Sequence, residues 1–172
     1  MNELSLQRLI VDAVNNAGGF SRKLNNRYLI GVSDLLVKLP GGSLKDARSA
    51  NLPYQAAGLL EVKQRQRPKT DAPFALDVTH AQGAFLQAAH DAGMPCGVVS
   101  FLQEGTGSGL KLWLQIQTWK HARSVRFVDW GDDAQGMFTK RSLHLSLGKF
   151  DVRHNDILSA LYNWQKEWRE GK

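Results

Sequence analysis

The sequence predicts an α/β fold, a mixed central sheet flanked by helices, and three observations point to it. Segments with apolar residues at helical spacing alternate along the chain with short runs of β-branched and aliphatic residues. Breaks such as Gly18-Gly19, Pro40-Gly41-Gly42 and Gly93 punctuate them at the length of single elements. With 172 residues, 42% hydrophobic and 22% charged, the chain is large enough for one well-filled core. No internal repeat, low-complexity tract or linker divides it. One domain is therefore expected over 1–172, with a core to about residue 118 and a strand and helix extension over 119–172.

Taken in order, residues 4–17 place Leu6, Leu9, Ile10, Ala13, Val14 and Ala17 on one helical face, and Gly18-Gly19 supplies the stop. Residues 28–39 read as a strand with a bend or bulge at Gly31. The polar stretch 43–57, with Lys45 and Arg48, is too long for a tight hairpin and reads as a binding loop or short helix. A second strand covers about 58–64. Residues 79–92 form a helix with Ala81, Ala84, Phe85, Ala88 and Ala89 free to pack, closed by Gly93 and Pro95. Strands 97–103 and 110–118, joined by a glycine-rich turn, make a hairpin. Short strands at 125–130 and 143–147 precede a final helix capped near Asn155 or Asp156, with Ile157, Leu161, Trp164 and Trp168 on one stripe.

Composition removes several classes of function. No apolar stretch approaches the roughly 20 residues that cross a bilayer, and Gln7, Arg8 and Asp12 break the amino-terminal apolar pattern, against a signal peptide. A cytoplasmic protein without membrane contact is expected. Cys96 is the sole cysteine, so an internal disulfide and a thiolate zinc cluster are excluded and a small core residue is left. Lys and Arg outnumber Asp and Glu by 22 to 16, giving +6 and a pI near 9.6, which favours a polyanionic partner without establishing one.

The informative constellation is Asp34, late in Gly31-Val32-Ser33-Asp34-Leu35-Leu36, followed by Glu61-Val62-Lys63 in the next strand. Side chains two apart on a strand share a face, so Glu61 and Lys63 emerge together while Val62 points into the core. If the strands pair, Asp34 joins them. Two carboxylates and the backbone carbonyl of Val62 make a hard oxygen site suited to Mg²⁺, with Mn²⁺ as a substitute. The Lys63 ammonium would orient an attacking water or stabilise a phosphoryl transition state. Singly, each residue is commonplace on a solvated strand. Together, and flanked by Leu35-Leu36-Val37 and Leu59-Leu60, they sit where charge needs a reason.

The order helix, Gly-x-x-Asp, Glu-Val-Lys, then a helix opening Thr79-His80-Ala81-Gln82, resembles the PD-(D/E)xK nuclease superfamily, and most its virus-type replication-repair nuclease branch, over roughly residues 3–101. The resemblance implies a restriction-endonuclease-like core with Asp34 and Glu61 as metal ligands. It makes Lys63 the catalytic lysine, Gln82 the helical glutamine and Glu3 the acid of helix one. It further implies a homodimeric, phage-type enzyme that cuts branched DNA such as a Holliday junction, in a bacterial or phage-infected cell. Ser33 stands where that family carries proline; proline is not a ligand, so the departure touches the specificity of the match more than the chemistry.

Gln82 has a second reading, since Thr79-x-x-Gln82 fits a capping box. His80 reads as an exposed first-turn residue, and His90, His121, His144 and His154 lack ligand spacing. Arg22, Lys23 and Arg27 before the first acid, and Arg65, Arg67 and Lys69 after Lys63, are candidates for phosphate contact. The five tryptophans either stack on bases or pack; core or subunit interface is the better reading for Trp164 and Trp168. The expected function is thus a Mg²⁺-dependent structure-selective DNA endonuclease. Its alternatives are a restriction-like or host-DNA-degrading nuclease, and a non-catalytic nucleic-acid-binding module, against which the intact Asp34, Glu61 and Lys63 argue.

Overall fold

A computed structural model of the chain describes residues 2–24, 31–40, 57–66, 73–74, 78–104, 111–119, 125–127, 137–138, 143–146 and 150–171. Asn2 starts the first helix, α1 (Glu3–Asn16), by accepting the Ser5 N–H at 2.9 Å, and Gly18, at φ 84°, lets the chain leave it. The chain then runs β1 (Phe20–Lys23), β2 (Leu35–Lys38), β3 (Gly58–Gln66), β4 (Pro73–Phe74), α2 (His80–Asp91), β5 (Cys96–Glu104) and β6 (Lys111–Thr118). It finishes with β7 (Val125–Phe127), β8 (Met137–Phe138), β9 (Leu143–Ser146) and α3 (Phe150–Arg169).

Six strands form a mixed open sheet in the order β1-β2-β3-β5-β6-β9. All neighbours are antiparallel except β3 and β5, which run parallel because α2 lies between them in the chain. A smaller sheet joins β4, β7 and β8. Alternation along the strands sorts the main sheet into two faces. Leu35, Val37, Leu60, Val62, Val99, Phe101 and Leu114 pack with Leu6, Ile10 and Val14 of α1 and Ile157, Leu161 and Trp164 of α3. Leu59, Cys96 and Val98 face the other way, toward Leu86 of α2 and Trp119. The sheet is therefore layered between α1 with α3 and α2.

Several expectations need correction. The strand read over 28–39 is confined to β2; Gly31 is a turn at φ 91°, and residues 28–30 lie outside the described residues. β1 was not foreseen, because Phe-Ser-Arg-Lys has no apolar alternation; only Ser21 of its four residues is buried. The final helix begins at Phe150, ahead of the expected cap. Of its stripe, Ile157, Leu161 and Trp164 are at most 1% exposed and belong to the core of the chain, while Trp168 is partly buried. Past residue 118, β9 pairs with β6 at the edge of the central sheet and α3 contributes Ile157, Leu161 and Trp164 to the main core. The 96–118 hairpin and the buried Cys96 are as expected. The stretch 43–56 lies outside the described residues. Among the described residues, no helix is long and apolar enough to cross a membrane.

Candidate active site

The site forms where β2 stops pairing with β3. Their register ends at Leu35 opposite Leu60, and beyond that point the edge of β3 is taken over by acidic side chains. The Val62 N–H donates to Asp34 Oδ2 at 2.8 Å, and the Gln64 N–H donates to Glu3 Oε1 at 3.2 Å. In an extended strand the N–H and C=O of one residue leave along the same edge. The Val62 carbonyl therefore faces the edge where Asp34 stands, and Glu3, at the first turn of α1, marks the next step along it. Asp34 is anchored from behind, its own carbonyl accepting the Leu24 N–H at 2.8 Å.

Glu61 and Lys63 leave β3 on the face toward α2. Lys63 Nζ lies 2.8 Å from Glu61 Oε1, with the lysine side chain 11% and the glutamate 1% exposed. Gln82, at the start of α2, closes the group: its Nε2 donates to Glu61 Oε1, and its Oε1 accepts from Lys63 Nζ at 3.4 Å. The same Oε1 accepts the Thr79 N–H at 2.9 Å while Thr79 Oγ1 accepts the Gln82 N–H at 3.2 Å, a complete capping box. The two readings of Gln82 are both fulfilled, because an amide offers a donor to the carboxylate and an acceptor to the backbone. Gly31 brings this helix start to Asp34: a Cβ there would lie 2.6 Å from the Ala81 carbonyl carbon, and its φ of 91° disfavours any side chain.

Burial and the neighbouring Asp34 charge push the Glu61 carboxyl up to about 7, against the opposing pull of Lys63. The Glu61 carboxyl comes within hydrogen-bonding reach of the Asp34 carboxylate, itself an acceptor, and no donor reaches its buried Oε2. A carboxylate oxygen in that state fits a cation, and Asp34, Glu61 and the Val62 carbonyl form an all-oxygen donor set of the kind Mg²⁺ takes. Among the described residues no group of three or more His, Cys, Asp or Glu forms a metal cage. Two carboxylates would leave most coordination positions to water and phosphate, as Mg²⁺ prefers.

Of the basic candidates, Arg22 is exposed and lies opposite Leu36 in register, hence on the α2 face; Lys23, opposite Leu35, is on the other. Arg65, two residues beyond Lys63, shares the face of the site and is partly buried. Arg27, Arg67 and Lys69 lie outside the described residues. His80 is exposed, as expected. Trp119 and Trp164 are buried, Trp119 Nε1 donating to Gln87 Oε1 at 3.0 Å, so neither ring is presented for stacking. Trp168 is partly buried, and the side chains of Trp113 and Trp130 are outside the described residues.

Sequence reasoning passed over Ser100. It is 1% exposed, lies opposite Lys63 in the β3–β5 register, and its one signal was a hydroxyl set among Val98, Val99 and Phe101. No known family pattern matches the chain and neither does any curated protein, so the family resemblance stands on the motif residues themselves.

Proposed function

We propose that the chain is a metal-dependent endonuclease that hydrolyses phosphodiester bonds in DNA, built on a restriction-endonuclease-like core and selective for branched substrates. One observation carries this reading: Asp34, at the edge of β3, comes beside Glu61 and Lys63 on its α2 face, and no donor reaches the buried Glu61 Oε2. Asp34, Glu61 and the Val62 carbonyl would hold Mg²⁺ or Mn²⁺. When bound, such an ion neutralises charge on the scissile phosphate and acidifies the attacking water.

The chain's own groups do the rest. Lys63, held by Glu61 and Gln82, keeps its ammonium fixed where negative charge develops on the phosphoryl oxygens, so little reorganisation is needed during reaction. Gln82 ties that lysine to the rigid first turn of α2. Arg22 and Arg65, on the same face, supply backbone phosphate contacts independent of sequence. A homodimer suits paired incision of a symmetric junction.

The test is incubation of the purified chain with labelled junction, flap, single-stranded and linear duplex DNA in Mg²⁺, Mn²⁺ or EDTA. Cutting is expected with divalent ions only, fastest on branched DNA, and absent in Asp34→Ala and Glu61→Ala while DNA binding persists. A folded chain that binds these DNAs and cuts none of them is instead a non-catalytic binding module.

A further inference from the structure

Two buried oxygens without partners stand on the same face of adjacent strands. Glu61 is opposite Val98 and Lys63 opposite Ser100 in the parallel β3–β5 register, so Ser100 lies beside Lys63 and one pleat along from Glu61. Ser100 is 1% exposed, and both its Oγ and Glu61 Oε2 lack a hydrogen-bond partner. Buried polar atoms are rarely left so. Their chemistry is complementary: a hydroxyl has a proton to donate, and a carboxylate oxygen has only lone pairs to accept it.

We propose that Ser100 is a positioning residue of this site, its hydroxyl holding Oε2 of Glu61 directly or through one buried water. Rotation about a single side-chain bond swings Oγ along the face, and a water with two polar partners is a stable occupant of such a gap. The consequence lies at the other oxygen. Glu61 Oε1 is the shared acceptor of Lys63 and Gln82, so fixing Oε2 fixes the plane of the carboxylate and with it both neighbours. A carboxylate oxygen accepts more than once, so the Ser100 bond leaves Oε2 a lone pair for a cation. This is how ligating carboxylates are commonly supported. The effect on metal affinity rests on the proposed metal-dependent reading; the hydrogen bond itself does not.

Ser100→Thr and Ser100→Val test it, being alike in shape and differing in the hydroxyl. In a high-resolution crystal structure of the wild-type chain, Ser100 Oγ is expected to bond Glu61 Oε2 or a water that touches both. Calorimetric titration of the full chain with Mn²⁺ is expected to give a Kd about tenfold weaker for Ser100→Val and within about twofold of wild type for Ser100→Thr. Ser100→Ala replaces the valine variant if crowding unfolds it. Equal losses in the threonine and valine variants, no loss in either, or a crystal structure without the link would each overturn the proposal. A wild-type chain that shows the link and binds no Mn²⁺ upholds the role of Ser100 and refutes the metal-dependent reading, so the two failures are distinct.

Discussion

Alternate residues of β3 meet opposite surroundings. Leu60 and Val62 are at 0% exposure among the side chains of α1 and α3, while Glu61, equally buried, faces α2 in the company of Lys63 and Gln82. The α1/α3 side holds a large continuous apolar cluster including Phe101, Leu161 and Trp164; the α2 side holds a small one around Leu86, Cys96 and Trp119. Within one strand, labour is divided between the two faces. A buried glutamate beside an aspartate works against folding, and only a face that contributes large apolar burial elsewhere can offset it. Stability should therefore be measured on one face and chemistry on the other.

Glu61→Ala and Trp164→Ala separate the two faces most sharply. On the proposed reading, Glu61→Ala lowers the cleavage rate by about a thousandfold. Its melting temperature should fall much less than that of Trp164→Ala, because relief of the buried carboxylate's desolvation offsets the partner that Lys63 and Gln82 lose. Trp164→Ala should cost about 3–5 kcal/mol, since the indole is 1% exposed and wedged against Gly58. That corresponds to a melting temperature lower on the order of 10 °C, with the rate per folded molecule retained. Thermal melts and initial rates on both variants check the pair; a Glu61→Ala variant as unstable as Trp164→Ala would break the division.

How much of this was legible in the sequence follows from the range of the forces involved. Glu61-Val62-Lys63 could be placed because alternation is a property of the strand alone, and α1 because its apolar spacing is local. Asp34 was readable as an acid beside a strand. Its hydrogen bond to the Val62 N–H was not, because that contact spans 28 residues and depends on β2 beginning only at Leu35, after Asp34. β1 was hidden since an edge strand with one buried serine needs no apolar pattern. The start of α3 was hidden by the polar run Asp151-Val152-Arg153-His154-Asn155, which delays the visible stripe to Ile157. Glu3, close to the amino terminus, gained meaning only from its bond to the Gln64 N–H.

The pH dependence sharpens the contrast on the α2 side. The Glu61 carboxyl titrates near 4.5 when unfolded and at about 7 when folded, raised by burial and then by Asp34. Between those values the folded chain binds the extra proton, so this group favours folding fully below pH 4.5 and loses that contribution as pH rises through about 7. The shift corresponds to about 3 kcal/mol. Urea melts of the metal-free chain should show stability falling over this range by an amount that Glu61→Gln removes. Added Mg²⁺ should restore stability more at pH 8 than at pH 5, because the ionised carboxylate is the form that binds it. A metal-free slope identical in Glu61→Gln would mean that Glu61 is not the group responsible.

The smallest effect concerns neither face but the sheet's edge. Asn15 turns back from the end of α1 to pair with the outer backbone of β1: Ser21 N–H donates to its Oδ1 at 2.7 Å and its Nδ2 donates to the Ser21 carbonyl at 3.2 Å. One amide thus occupies the two backbone groups that a further strand would use there. Asn15→Ala should cost about 1 kcal/mol, a melting temperature lower by roughly 2–4 °C, and leave cleavage unchanged. It should also raise concentration-dependent self-association above the wild-type level in sedimentation velocity. Asn15→Asp, which keeps the acceptor and loses the donor, should fall between. Were Asn15→Ala to lose stability without gaining association, the amide would be only a local staple, and protection of β1 would rest on its shortness and on exposed Arg22.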